Sequence, residues 1–213
     1  MFLAQRLGET NSCLFYSLNG KLTTELATEI SDNIEHYSLK DFDEDKLIKS
    51  GCYNLILSYL SLQYANDLIG SLIQYKRLLS EKGIFLAVIF SGKTLIELKT
   101  SFAAVDSELF NKVTSRVIPM INNESFPSLM QRSGHINPVV SFESITVLYN
   151  NIKELLYDLK FCGQFNFLKN RASKYPGKLY FNYVEKYYME NFSMDGKLKA
   201  TYEIAVLSSN LAG

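Results

Sequence analysis

Apolar runs alternate along this chain with capped amphipathic stretches. Cys13–Leu18 (CLFYSL) predicts a short buried strand, closed by the turn pair Asn19-Gly20. Leu22–Ile30 predicts a short helix, and Ile34–Leu39 a further strand. Tyr53–Ser58 (YNLILS) is an apolar run of the kind a parallel strand shows when both faces are covered. Asn66 or Asp67 is placed to cap the next helix, whose Leu68, Ile69, Leu72, Ile73, Tyr75 and Leu79 share a core-facing side. Gly83 is expected at the left-handed position that stops this helix, and Ile84–Phe90 is a second covered strand. Two such strands joined by a capped helix make a right-handed crossover.

Beyond Phe90 the pattern changes. Ser91-Gly92 is expected to open a helix through Thr94, Leu95, Leu98 and Phe102. Ser125-Phe126-Pro127 starts another, with Pro127 in the first turn, and Gly134 ends it. Val139–Leu148 alternates like a strand. Ile152, Leu155, Leu156 and Leu159 follow helical spacing up to Gly163. Pro176–Met189 is a tyrosine-rich helix, most simply a packed face whose hydroxyls reach solvent. Asp195-Gly196 turns the chain, and Thr201–Leu207 is a last strand. The order predicts one α/β domain over residues 1–213, mostly parallel with a late antiparallel edge.

Charge adds a constraint. Lys plus Arg and Asp plus Glu each number 22, so no net field favours nucleic acid or an anionic membrane. No apolar stretch approaches the ~18 residues of a membrane span. Cys13, Cys52 and Cys162 are too far apart for a metal motif, and with only His36 and His135 to help them they read as reduced thiols of a cytoplasmic protein. The run Asp41, Asp43, Glu44, Asp45 lacks ordered ligand spacing and reads as a solvated loop, so no metal is expected.

Several words of the chain together resemble a family. Tyr53–Ser58 followed by Leu60-Ser61-Leu62-Gln63-Tyr64-Ala65-Asn66-Asp67-Leu68 is similar to the fourth strand and following loop of class I S-adenosylmethionine-dependent methyltransferases. Leu78–Gly83 resembles their "LLKPGG" turn. Phe90–Lys99 (FSGKTLIELK) resembles the "FGGDTLxELR" segment of the BioC-like branch. That branch includes the malonyl-carrier-protein methyltransferase of biotin synthesis and a mitochondrial complex I assembly factor that hydroxylates an arginine. Leu155–Gly163, Asn170-Arg171, Asp195-Gly196 and Ala200–Ile204 resemble words of the assembly-factor side.

The resemblance implies a Rossmann-like class I methyltransferase fold with S-adenosylmethionine as cofactor. It also marks departures. The family's first strand and its "DLGCGxG" loop have no counterpart here, and Met1–Leu7 already looks like the helix after such a turn. Only glycines let backbone approach the cofactor so closely. Where the family places a ribose-binding carboxylate, this chain has Ser17, Leu18 and Asn19. A neutral Asn19 makes weaker bonds than a charged partner would. A histidine common after the fourth strand is Gln63 here. Without a first strand, Cys13–Leu18 either pairs directly with Tyr53–Ser58 or leaves a gap for a separate chain.

The candidate cofactor-binding residues are thus Asn19, Asp41, Phe42, Ser58, Tyr59, Leu60 and Gln63. Ser58 and the Tyr59–Gln63 loop follow a central strand, where open α/β sheets bind ligands; a loop that merely leads into the helix cap is the equal alternative. Asp41 with Phe42 could meet an adenine ring, though an acidic loop is the simpler reading. No catalytic residue is assigned. Glu97, Lys93 and Lys99 read as a solvated helical face. Arg116 and Arg171 read as surface residues before carboxylate holders, and His135 as a cap or surface residue before a general base. The function expected is that of a methyltransferase-like protein, weak or inactive as this chain alone. The alternative is a non-catalytic module binding a respiratory complex I subunit. A protein substrate is the expected partner class.

Overall fold

The computed structural model of the chain describes residues 13–17, 34–38, 51–161 and 176–210. The helix expected at 22–30, the acidic run, Asn19, Asp41, Phe42, Cys162, Gly163 and Arg171 lie outside these residues. The described strands are β1 (Cys13–Ser17), β2 (Ile34–Ser38), β3 (Tyr53–Tyr59), β4 (Leu79–Ser91), β5 (Val139–Tyr149), β6 (Ser193–Met194) and β7 (Lys197–Asn210). The helices are α1 (Leu68–Leu78), α2 (Ile96–Phe110), α3 (Phe126–Arg132), α4 (Ile152–Phe161) and α5 (Lys178–Phe192). The strands form one mixed sheet in the order β2-β1-β3-β4-β7-β5, with β6 beside β7.

The chain divides into two compact units. One holds residues 1–90, 121–142 and 205–213, and the other holds 91–120 and 143–204. In the first unit β1, β3 and β4 are parallel neighbours, and β1 also pairs parallel with β2. Cys13 lies opposite Leu55 and Ser17 opposite Tyr59. The direct pairing that the sequence left as one of two options is therefore the one observed. It satisfies backbone groups that a gap would strand without partners. Cys13 and Leu14 are buried between their neighbours, and burial pushes the Cys13 thiol up to about 11. That thiol is a packed apolar group and not a nucleophile at neutral pH.

The core of this unit joins Leu14, Ile56, Leu72, Phe85, Phe126 and Met130. Asp67 caps α1 by accepting from the Gly70 amide at 2.9 Å. A side chain at position 70 would collide with that carboxylate, 2.5 Å from an ideal Cβ. Gly83 departs from expectation. α1 ends earlier, with Leu79 already extended, and Gly83 lies within β4. Its role is close approach: a Cβ there would sit 2.8 Å from the Tyr53 carbonyl oxygen and 3.0 Å from that of Ser80. Gly134 does stop α3, at φ +76°.

In the second unit α2 begins at Ile96, later than the Ser91-Gly92 start read from the sequence. Leu95 is left-handed at φ 56°, and its amide donates to the Thr201 carbonyl at 2.7 Å. A tertiary bond thus takes the turn that propensity would give to the helix. Asp195 and Gly196, at φ 53° and 71°, form the two-residue hairpin turn that joins β6 antiparallel to β7. Two of the four tyrosines of α5 depart from expectation, while Tyr183 is exposed. Tyr180 and Tyr188 are buried, and their hydroxyls donate to Asp106 and to the Lys199 carbonyl. Among the described residues no helix is long and apolar enough to cross a membrane.

Candidate functional site

Parallel pairing puts the carboxyl ends of β1, β2, β3 and β4 on one edge of the sheet. Four of the expected site residues, Ser58, Tyr59, Leu60 and Gln63, meet there in a single loop. Ser58 is fully buried at the end of β3, and its hydroxyl lies 2.8 Å from that of Ser61. Tyr75, buried on α1, bonds to Ser58 as well. Burial raises the Tyr75 phenol well above its ordinary range and the bond to Ser58 opposes that rise, so the phenol stays protonated.

Leu60 takes the left-handed conformation at φ 46°, costly for a branched side chain. Two bonds hold it there. Its amide donates to the Val88 carbonyl at 2.8 Å, and its own carbonyl accepts from Gln63 Nε2 at 2.7 Å. Gln63 therefore braces the loop. A short 3-10 turn at Leu62–Tyr64 then leads to the Asp67 cap of α1. The helix-cap reading describes the far end of the loop, where the strained Leu60 turn is followed by the Asp67 cap. Sequence reasoning missed Ser61 and Tyr75. The Ser58-x-x-Ser61 spacing was visible, but nothing in the sequence announced that Tyr75 would point at it.

The loop's fit to an adenosyl ligand is partial. Its hydroxyls bond one another and the Leu60 backbone groups are internally paired, so it presents a shaped wall with half-buried Tyr59 and Leu60. The strands end in Ser17, Ser38, Tyr59 and Ser91, so none carries a carboxylate at its carboxyl end. Asn19, Asp41 and Phe42 lie outside the described residues. Among the described residues no group of three His, Cys, Asp or Glu side chains could hold a metal ion.

The other charged candidates are structural. His135 is buried in the first unit, with Nε2 3.0 Å from the Leu72 carbonyl and Nδ1 against the Ser209 hydroxyl. Burial holds its proton affinity below the ordinary value, the bond to Leu72 opposes this, and the Lys76 charge adds to it. It is not a surface residue, but it does cap: its amide donates to the Met130 carbonyl at 3.2 Å at the end of α3.

In the second unit Glu97 is not on a solvated face. It is 4% exposed and accepts from the Thr201 amide at 3.1 Å and from the Thr201 hydroxyl. Thr94 bonds the Glu203 backbone in both directions, at 2.8 and 2.9 Å, and the Lys93 amide donates to the Glu203 carboxylate. The words at 90–99 and 200–204 that carried the resemblance are thus two sides of one hydrogen-bonded clamp. Arg116 is likewise no loose surface residue: it pairs with buried Asp106.

No family model matches the chain. Among curated proteins it is 32% identical over 168 residues, 77% of this chain and 38% of the relative, to the mitochondrial arginine-hydroxylase NDUFAF5 of Dictyostelium discoideum. It is 28% identical over 157 residues, 74% of this chain and 50% of the relative, to a malonyl-[acyl-carrier protein] O-methyltransferase of Laribacter hongkongensis. The chain therefore spans half or less of the length of these relatives. Among solved structures, a Bacillus halodurans chain described as a methyltransferase superposes with a TM-score of 0.58 at 9% identity, over 97% of this chain and 93% of that one. At that identity the likeness concerns the fold alone. Sequence and fold agree on the conclusion: the chain has the class I methyltransferase-like fold, and over the half or less of them that it spans it is similar in sequence to the malonyl-[acyl-carrier protein] O-methyltransferases and the arginine-hydroxylase NDUFAF5.

Proposed function

We propose that this chain forms part of an S-adenosylmethionine site, with the Ser58–Gln63 loop as one wall, and that these 213 residues by themselves hold the cofactor only weakly. The observation that carries this reading is the braced, left-handed Leu60 turn at the carboxyl edge of β3. Open α/β sheets bind ligands at that edge, and a bulky residue held at positive φ is strain of the kind kept at ligand sites. Asn19, Asp41 and Phe42 belong to the same proposal as contacts from the ends of β1 and β2. Weak holding follows from the absence in this sequence of a glycine-rich turn that would bring bare amides to the ligand. The chemistry served is transfer of the sulfonium methyl to an acceptor held in line, a catalysis of proximity and orientation. Titration calorimetry of the chain with S-adenosylmethionine and S-adenosylhomocysteine tests this. Weak, saturable heat lost in Leu60→Pro and Gln63→Ala is expected. Micromolar affinity would refute the weak-holding part, and no competition between the two ligands would refute the site.

The second reading is a non-catalytic module that binds a protein, such as a respiratory-complex subunit. It is motivated by exposed apolar side chains in the second unit, Leu109, Phe110 and Val113 around the end of α2 and Leu179 and Tyr183 on α5. Recovery of such a subunit on the immobilised chain, unchanged by added cofactor, would favour this reading. Recovery that requires cofactor would favour the first.

A further inference from the structure

The sheet order ends with β5, beyond β7, and among the described strands none pairs with its outer edge. The strand is long, Val139–Tyr149, and Ser141–Thr146 are exposed without interruption. Successive side chains of a strand point to opposite faces, so both faces are open along this stretch. Free edges are ordinarily kept from pairing by lysine, proline, a bulge or brevity. The strand VVSFESITVLY holds no Lys, Arg, Pro or Gly, and Glu143 is its one charge. An edge in this state is a template for another strand.

The placement of its exposed apolar side chains identifies which strand. Val139, Phe142 and Ile145 are 61%, 43% and 44% exposed. Val139 and Ile145 stand at equal distances on either side of Phe142. In an antiparallel pair, a two-fold axis at Phe142 therefore sets Phe142 against its own copy and Val139 against Ile145 twice. No other two-fold register pairs all three among themselves. Val139 and Ile145 share one face and Phe142 holds the other, so the contact grips both faces of the joined sheet. Phe126 of α3, its ring centroid 6.2 Å from that of Phe142, backs the central residue. In the same register Glu143 lies opposite Ser141, whose hydroxyl can donate to it, and not opposite another carboxylate.

We propose that this chain forms a weak, closed homodimer by antiparallel pairing of β5 with β5 of a second copy, centred on Phe142. Each copy offers one β5 edge, so the assembly stops at two. The net charge of zero removes mutual repulsion between the copies. The paired segment, Val139–Ile145, buries on the order of 500 Å² on each chain by strand dimensions, below the ~800 Å² of a standard interface. A dissociation constant of about 10–100 µM is therefore expected. The pairing concerns a sheet edge and needs no cofactor, so its test is separate from that of the methyl-donor site.

Sedimentation velocity of the full chain from about 1 to 500 µM spans that range, and a monomer–dimer equilibrium with no larger species is expected. Phe142→Lys places two ammonium groups opposite each other and should weaken the dimer about tenfold. Ser141→Lys works in the other direction. It sets an ammonium opposite Glu143 of the second copy, twice per dimer, and should tighten association about threefold to tenfold at low salt. That gain should vanish at about 1 M salt. Ser141 is exposed, so this variant keeps the fold even where Phe142→Lys does not. Phe142→Cys under mild oxidation should yield a disulfide that maps to position 142 of both chains, because directly opposed Cα atoms lie about 4.5–5.5 Å apart. A chain monomeric throughout, a mass that grows past two copies, or a dimer that Ser141→Lys leaves unchanged would overturn the proposal. So would cross-links through the exposed Cys52 that never include position 142.

Discussion

Truncating Glu97 to alanine tests whether the words that mark this branch are architecture. The carboxylate is 4% exposed and accepts two bonds from Thr201, one from its amide and one from its hydroxyl. The Lys199 ammonium at 4.0 Å adds little, because that side chain is 41% exposed and screened. The loss is therefore dominated by the half-buried Thr201 groups left without an acceptor, at about 1–3 kcal/mol each when water reaches them poorly. A total near 3 kcal/mol is expected once partial relaxation is allowed. For a chain of this size about 2–4 °C of melting temperature accompanies each kcal/mol, so Glu97→Ala should melt roughly 6–12 °C lower. Glu97→Gln keeps one acceptor oxygen and should fall between. Urea unfolding followed by tyrosine fluorescence gives the free energies, and a cycle with Thr201→Val isolates the pair. A coupling of about 1–2 kcal/mol is expected. A Glu97→Ala chain within about 0.5 kcal/mol of wild type, or an additive cycle, would show that the clamp does not hold α2 to β7.

Further outcomes follow from the same geometry. Gly83→Ala should cost about 1–3 kcal/mol, since its methyl meets the backbone oxygens of Tyr53 and Ser80; a neutral substitution in denaturant melts would contradict that contact. Asp67→Ala should cost about 1 kcal/mol through loss of the Gly70 cap, read as an earlier urea midpoint with unchanged slope. Stability should fall as pH drops below about 6.5, because His135 is held below its ordinary value and the unfolded chain takes up that proton first. His135→Gln should flatten this limb, and an unchanged pH profile of unfolding would refute it. A separate loss is expected at lower pH. Burial pushes the Asp106 carboxyl up, but the bonds from Arg116, Tyr180 and Thr114 outweigh it and hold the group below its usual value. Its contribution is present above about 3.9 and disappears as pH falls, so in Asp106→Asn the unfolding profile should lack that acid limb.

Local pattern alone located most strands. Tyr53–Ser58 and Ile84–Phe90 are apolar runs bounded by polar caps, and they became β3 and part of β4, although Ile84, Leu86 and Val88 are only half-buried where full cover was expected. Asp67 and the Asp195-Gly196 turn were legible because each acts on neighbours within a few residues. The resemblance words located the lineage for the same reason, as they are continuous in the chain. Tertiary structure decided what needed a distant partner. Gly83 looked like a helix stop and is a point of close approach to Tyr53. Glu97 looked solvated until Thr201, far along the chain, arrived to bond it. The hydroxyl of Tyr180 turned inward because Asp106 and Arg116 were already there. Hydrophobic periodicity reports which side of an element faces a core, but it carries no information about which polar group will meet another inside. That choice is made only when the elements pack and every buried donor and acceptor must find a partner.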